Sequence, residues 1–373
     1  DPDFALNVAG VVLDGAGRAT VVLQLGGPRR SVLEATSRTP GGRWSSPVAL
    51  SAALPGLSAD VLLDRRGRVV VIWRGFGVRS LLDSAVRAPD GRWRLLVPVA
   101  GSGAAEPGSA PRLWPLRGGG AAVVWSSPGG PGTPARAYAA RLTPAARVWS
   151  RARLLLSDQH GAAPWALAIA PDGGARAVLG RQRGARVALA LASRSPSGRW
   201  RPGRPLGSAG RFDSPSIVMG PDGSAVVVYS RTPRSYGASS LQATALALDG
   251  SSALPVTLAE RAAPPGGHPR DDPTAIEAIP WSVAGLVDET GGAALVWPEP
   301  RVSPMRAELL TRRILAASYE PAGGWSSAEQ VVVFPQETQI VTPHLVGLPN
   351  HRLLAYWAVR SEQGVLLQAS EGP

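Results

Sequence analysis

The chain has 373 residues, a net charge of +12 and no cysteine, which excludes disulfides, iron–sulfur clusters and thiolate chemistry. Its 44 glycines and 36 prolines are spread along the chain rather than gathered into a linker, so they supply tight turns throughout one folded body. No apolar run approaches the ~20 residues of a membrane span.

In chain order a β-run, glycine-led in its first six copies, recurs seven times, usually closing on an aromatic: Gly17 to Gln24, Gly67 to Trp73, Gly119 to Trp125, Gly173 to Gly180, Gly223 to Tyr229, Gly291 to Trp297 and His351 to Trp357. From one last residue to the next the steps are 49, 52, 55, 49, 68 and 60. After each run comes a strand of small and apolar residues: Ser31 to Arg38, Leu81 to Arg87, Ala135 to Leu142, Arg186 to Arg194, Ser240 to Leu248, Arg312 to Tyr319 and Val365 to Ser370. A turn ending in Trp then leads to a short strand at Trp44, Trp93, Trp149, Trp200 and Trp325; the fifth repeat keeps Asp249-Gly250 but loses the Trp. Another strand precedes each glycine run, as in Ala59 to Asp64 and Ser214 to Met219. Four strands bounded by Asp-Gly, Gly-Gly and Pro turns, repeated at this length, predict an all-β fold: a seven-bladed β-propeller of four-stranded antiparallel blades. No window carries a sustained helical period with caps, so almost no helix is expected.

The expected blades are 1–50, 51–102, 103–156, 157–208, 209–258, 259–333 and 334–373, together one domain, because blades pack on their neighbours. The last ends on its third strand, and residues 1–4 are too few to complete it, so a three-stranded seventh blade is expected. Nine of the twelve Trp occupy the two repeated positions, at the turn and at the strand end, and read as packing between sheets.

All 39 basic residues are Arg, alongside abundant Ala and Gly, the pattern of a GC-rich coding sequence, so the charge reads first as a solvated surface. No nucleic-acid-binding module or aromatic-interleaved basic stripe accompanies it, which argues against nucleic acid as a partner. The chain starts at Asp1 with no signal peptide, which reads as a processed or truncated product. His268, Asp271 and Asp272 lie in the longest irregular stretch, 259–278, where a polar loop explains them better than a metal site. No cofactor is expected, and oligomeric state is not legible.

The pattern Pro-x-apolar, Asp-x-x-Gly-x-Ala-x-Val-Trp and Gly-Gly-x-Trp-Ser-x-Pro-Val-x-Leu, clearest at Gly41 to Leu50, resembles the secreted repeat propellers of high-GC bacteria, which are similar to the sialidase and Asp-box propeller superfamily. The resemblance covers the whole chain and implies fold, and a secreted or cell-envelope location, but not activity. The Asp-box turn departs from its pattern, with Gly two residues before Trp at Asp90 to Trp93 and Ser197 to Trp200. The Phe/Tyr-Arg-Ile-Pro segment of sialidases is absent, and no Tyr–Glu nucleophile pair can be picked out.

The expectation is therefore a non-catalytic extracellular propeller that binds a carbohydrate or protein ligand at its channel mouth. The alternatives are a sialidase-like glycoside hydrolase and a polyanion-binding scaffold. Aligning repeats on the glycine run puts Asp60, Arg112, Ser216 and His344 at equivalent places on the first strands. Trp165 and Trp281 also follow Pro there; with Trp114 they are the Trp that the repeat leaves unexplained. Charged and aromatic side chains at a position that packing alone would make uniform are the candidate ligand-binding set, with Asp213, Asp271, Asp272 and Glu277 near the same rim.

Overall fold

The computed structural model describes residues 5–27, 30–75, 81–102, 110–127, 134–145, 147–157, 162–183, 186–210, 215–231, 239–247, 251–261, 283–302, 309–340, 343–348, 352–361 and 364–372. Among these residues there is no helix, and small antiparallel sheets make a seven-bladed β-propeller. The local cause is a turn repeated before the second strand of the first six blades. Its glycine takes a positive φ, 72° at Gly67 and 83° at Gly119, a region closed to most side chains. The amide of that glycine donates to the carbonyl three residues back, Gly67 to Asp64 at 3.0 Å and Gly119 to Leu116 at 2.9 Å.

Blade one consists of β1 (Ala5–Leu13), β2 (Ala19–Gly27), β3 (Arg30–Arg38) and β4 (Val48–Ala49). Blade two is β5 (Leu57–Leu63), β6 (Val69–Gly75), β7 (Asp83–Arg87) and β8 (Trp93–Leu96). Blade three is β9 (Arg112–Pro115), β10 (Ala121–Ser127), β11 (Arg136–Leu142) and β12 (Arg153–Ser157). Blade four is β13 (Ala162–Ile169), β14 (Ala175–Arg183), β15 (Arg186–Arg194) and β16 (Trp200–Gly210). Blade five is β17 (Ser216–Met219), β18 (Ala225–Arg231), β19 (Ser239–Leu246) and β20 (Val256–Arg261). In blade six β21 (Ala284–Val287), β22 (Ala293–Val302) and β23 (Leu309–Glu320) are flanked by β24 (Gly324–Trp325) and β25 (Glu329–Ile340). Blade seven has three strands, β26 (His344–Gly347), β27 (Leu353–Ser361) and β28 (Gly364–Gly372), as expected. β25 belongs to two blades. It pairs with β23, and its last residues Gln339 and Ile340 then pair with Arg360 and Val359 of β27.

The chain packs as two compact units, one of residues 1–164 with 169–173, the other of residues 165–168 with 174–373. In the first unit, the apolar run of β6 is buried on both faces. Val69, Val71 and Trp73 join Val22, Leu33 and Leu50 of blade one, while Val70 and Ile72 join Leu113, Val123 and Trp125 of blade three. This double burial is why the run is continuous instead of alternating. Gly10 of β1 permits the close approach of blades one and two: a Cβ there would stand 2.8 Å from that of Val61. In the second unit the pattern repeats, Leu295 and Trp297 packing on Val226 and Val228 of blade five, and Val296 on Phe334 and Trp357.

Two details differ from the expected pattern. Counting six residues from the turn glycine gives Trp73, Trp125, Tyr229 and Trp297, but in blades one and four it gives Leu23 and Leu179 in place of Gln24 and Gly180. The Trp of the outer turn is also not uniformly packing. Trp149 is buried and donates its indole N–H to Ser84 Oγ at 2.8 Å, whereas Trp44 is 46% exposed because β4 is only two residues long and shields little.

Candidate functional site

The first strand of each blade pairs so that one residue stands opposite the position just before the strand-end aromatic. Asp60 is opposite Ile72, Arg112 opposite Val124, Ser216 opposite Val228 and His344 opposite Tyr356. The same register places Gly10 opposite Val22 and Ala284 opposite Val296. Blade six thus presents Ala284 at this position, and Trp281 lies outside the described residues, as do His268, Asp213, Asp271, Asp272 and Glu277. In blade four, counting back from the turn where Gly173 donates to Ala170 puts Ala166 there, one residue after Trp165. Trp165 is half-buried and lays its indole over β14, where a Cβ on Gly180 would stand 2.7 Å from its Nε1. Trp114 on β9 is likewise half-buried, opposite Ala122.

In the first unit Asp60 and Arg112 come together. Residues directly opposite in an antiparallel pair share a face, and Ile72 faces blade three, so Asp60 points across the seam between blades. Its Oδ2 accepts the Leu113 amide at 2.7 Å, its Oδ1 accepts the Val61 amide at 3.0 Å, and Arg112 Nη1 stands 4.0 Å from Oδ1. The physical need is plain: a first strand has one edge without a ladder partner, and Asp60 supplies an acceptor for the Leu113 amide on it. Desolvation holds the Asp60 carboxyl above its ordinary range, opposed by the Arg112 charge and the Leu113 and Val61 amides. Arg112 itself is 66% exposed, so its pairing with Asp60 is loose and most of the guanidinium faces solvent. In the second unit His344 stacks on Tyr356, with ring centres 4.9 Å apart and an interplanar angle of 8°, and Ser216 is half-buried at the start of β17.

The raised carboxyl gives a pH test with a definite sign. Between its ordinary value and the raised folded-state value, the folded chain holds a proton at Asp60 that the unfolded chain does not, so the stability contribution falls as pH rises through that window. Wild-type protein is therefore expected to gain stability relative to Asp60→Asn as pH drops through the range just above ordinary carboxylate titration. Urea unfolding of both proteins over a pH series measures this, and a difference that moves the opposite way would refute the assignment.

Two buried ionic groups escape sequence reasoning. Asp64, with a fully buried side chain, accepts the Arg66 and Arg68 amides at 2.9 and 3.0 Å through Oδ1, Arg68 Nε at 2.7 Å and the Gly120 amide of blade three at 3.3 Å through Oδ2. Its Asp-x-x-Gly spacing marks the turn, as at Asp14 and Asp288, but nothing in the sequence shows its reach into the next blade. Arg74, only 1% exposed, follows Trp73 and donates from Nη2 to the Ser102 carbonyl at 3.4 Å; burial lowers its pKa. Its Nε and Nη1 meet no hydrogen-bond partner among the described residues. Among the described residues no cluster of His, Asp and Glu is built to hold a metal.

No protein-family model and no curated protein matches the chain. Solved structures do resemble it. The polysaccharide lyase Uly1 aligns at 11% identity over 97% of this chain and 89% of its own, with a TM-score of 0.57. An α-L-arabinanase of Penicillium chrysogenum, solved with arabinobiose, aligns at 12% over 85% and 92%, with a TM-score of 0.52. A protein of unknown function from Dyadobacter fermentans aligns at 13% over 100% and 95%, with a TM-score of 0.51. At these identities the likeness is one of fold, and it agrees with the seven antiparallel sheets: this chain is a seven-bladed β-propeller with structural neighbours among other propellers.

Proposed function

We propose that this protein is a non-catalytic, extracellular carbohydrate-binding propeller whose ligand is held along the first strands of blades two and three, around Asp60 and Arg112. One observation carries the reading. Along a single repeat position the residue changes from Gly10 to Asp60, Arg112, Ser216, Ala284 and His344, while its cross-strand partner stays aliphatic in every one of those blades but the last. Packing holds one side of the pair constant and leaves the other free to vary in chemistry, as a recognition position does. Asp60 and the exposed Arg112 place an acceptor and a donor 4.0 Å apart, a spacing suited to neighbouring sugar hydroxyls. That two of the propellers it resembles are named for action on glycans fits this reading.

A glycan array probed at low and high salt tests it. Binding of uncharged glycans that persists at high salt, and that Arg112→Ala weakens without changing thermal unfolding, is the expected result. Binding that collapses with salt would replace it with polyanion attraction through the arginines. Turnover of a chromogenic glycoside, abolished by one carboxylate substitution, would replace it with a glycoside hydrolase.

A further inference from the structure

In two seams of the first unit, an arginine from one blade closes the gap to the next. Arg18 follows the turn glycine Gly17, and its Nη1 donates to the Pro89 carbonyl of blade two at 3.2 Å. Arg68 follows Gly67 and makes the same bond to the Pro144 carbonyl of blade three at 2.9 Å. Both prolines stand in the turn after the third strand of the following blade, so each arginine stem lies along the seam and covers it. In blade five the residue after the turn glycine Gly223 is Ser224, and the matching proline of blade six is Pro321. Serine is too short to cross. Where the arginine would run there is a groove of about 540 Å³, bordered by Asp222 and Ser224 on one side and by Thr290, Gly291, Tyr319 and Pro321 on the other.

The lining specifies the ligand chemistry. The Ser224 amide and hydroxyl donate to Asp222 Oδ1 at 2.9 and 2.6 Å, and the Thr290 hydroxyl donates to Asp288 at 2.7 Å. With those protons directed inward, Asp222, Ser224 and Thr290 offer a guest acceptors, a carboxylate and hydroxyl lone pairs, while Ser251, Ser252 and Tyr319 line the same groove with further hydroxyls. Asp222 repels an anion, and among the described residues no group of three acidic or imidazole side chains stands here to hold a metal ion. What remains is an uncharged molecule rich in O–H donors, with apolar C–H surface to set against the alanine and proline walls, and the volume lies in the range of small-ligand sites.

We propose that the seam between blades five and six is a binding site for a neutral saccharide residue. It is separate from the first-strand position, since Ser216 opens β17 and Asp222 follows its other end. The ligand class rests on the carbohydrate reading above; the location does not. The test uses the full chain and saturation-transfer NMR with the methyl glycosides of glucose, galactose, mannose and xylose. Ser224→Arg supplies the side chain that closes two seams of the first unit, and is expected to weaken glycoside binding at least tenfold while leaving thermal unfolding unchanged or raised. Thr290→Trp, at an exposed position, closes the groove from the opposite blade and is expected to do the same if the arginine variant folds poorly. Ser224→Ala, which keeps the space open, is expected to retain binding within a few-fold. Glycosides that bind the two filled variants as they bind wild type would overturn the seam site, and loss of that binding in Arg112→Ala would leave the carbohydrate reading standing. Wild-type protein that binds none of the four would remove the carbohydrate reading, and the seam site with it.

Discussion

Replacing Trp125 by alanine is expected to destabilise the protein by about 3–5 kcal/mol, the range for truncating a large aromatic in a core that cannot collapse around the loss. The indole is 1% exposed and stacks on Tyr138 at 5.8 Å between ring centres. It packs with Val70, Ile72, Leu82 and Val99 of blade two as well as with its own blade, so the cavity would open between two rigid sheets. The control is Trp44→Ala. That residue belongs to an equally regular motif but is 46% exposed, and its loss is expected to cost under about 1 kcal/mol. Denaturant unfolding of the two variants checks the pair, and equal shifts of midpoint would show that the repeat motif, rather than burial, sets the cost.

The second large effect is expected at Asp64. Its removal as Asp64→Ala leaves Arg68 in the seam without a carboxylate and the Gly120 amide without its acceptor, a loss of about 3 kcal/mol or more for breaking a buried ionic contact from one side. Asp14 occupies the equivalent turn, yet it stands 4.0 Å from Arg18 and is partly exposed, so Asp14→Ala should cost well under half as much. Adding Arg68→Met to Asp64→Ala should recover part of the loss, since the uncompensated guanidinium goes with it. A double variant less stable than Asp64→Ala by the full cost of Arg68→Met alone would show that the two side chains act independently.

The architecture was legible because its determinants are local. A positive-φ glycine at Gly67, Gly119 or Gly223, followed by a continuous apolar run, announces a turn and a doubly buried strand without knowledge of any distant residue. In blades one and four Gln24 and Gly180 extend the apparent run one residue past Leu23 and Leu179, where no Trp marks the end. The equivalence of Asp60, Arg112, Ser216 and His344 was also readable, since it is a counting relation. What those side chains touch was not. Asp60 faces the amide of Leu113, 53 residues on, and Arg18 and Arg68 reach carbonyls 71 and 76 residues away. Such contacts depend on where one blade sets the next, and a single sequence carries no trace of that. Trp165, which looks like a rim aromatic by its place after Pro164, turns its ring onto Gly180 instead, the residue whose missing side chain makes room for it.

The strand shared by blades six and seven bears on protein engineering. Many repeat folds can be shortened by removing whole modules, because each module ends where its sheet ends. Here β25 carries the ladder of blade six and then pairs through Gln339 and Ile340 with β27. A cut ahead of Glu329 strips blade six of its long outer strand, and a cut after Ile340 leaves that strand with backbone groups that had been bonded to β27 exposed as a sticky edge. Blades six and seven are therefore inseparable as building blocks, and a shortened or permuted version of this scaffold should take its breakpoints among the earlier blades, where no strand is held in common by two sheets among the described residues.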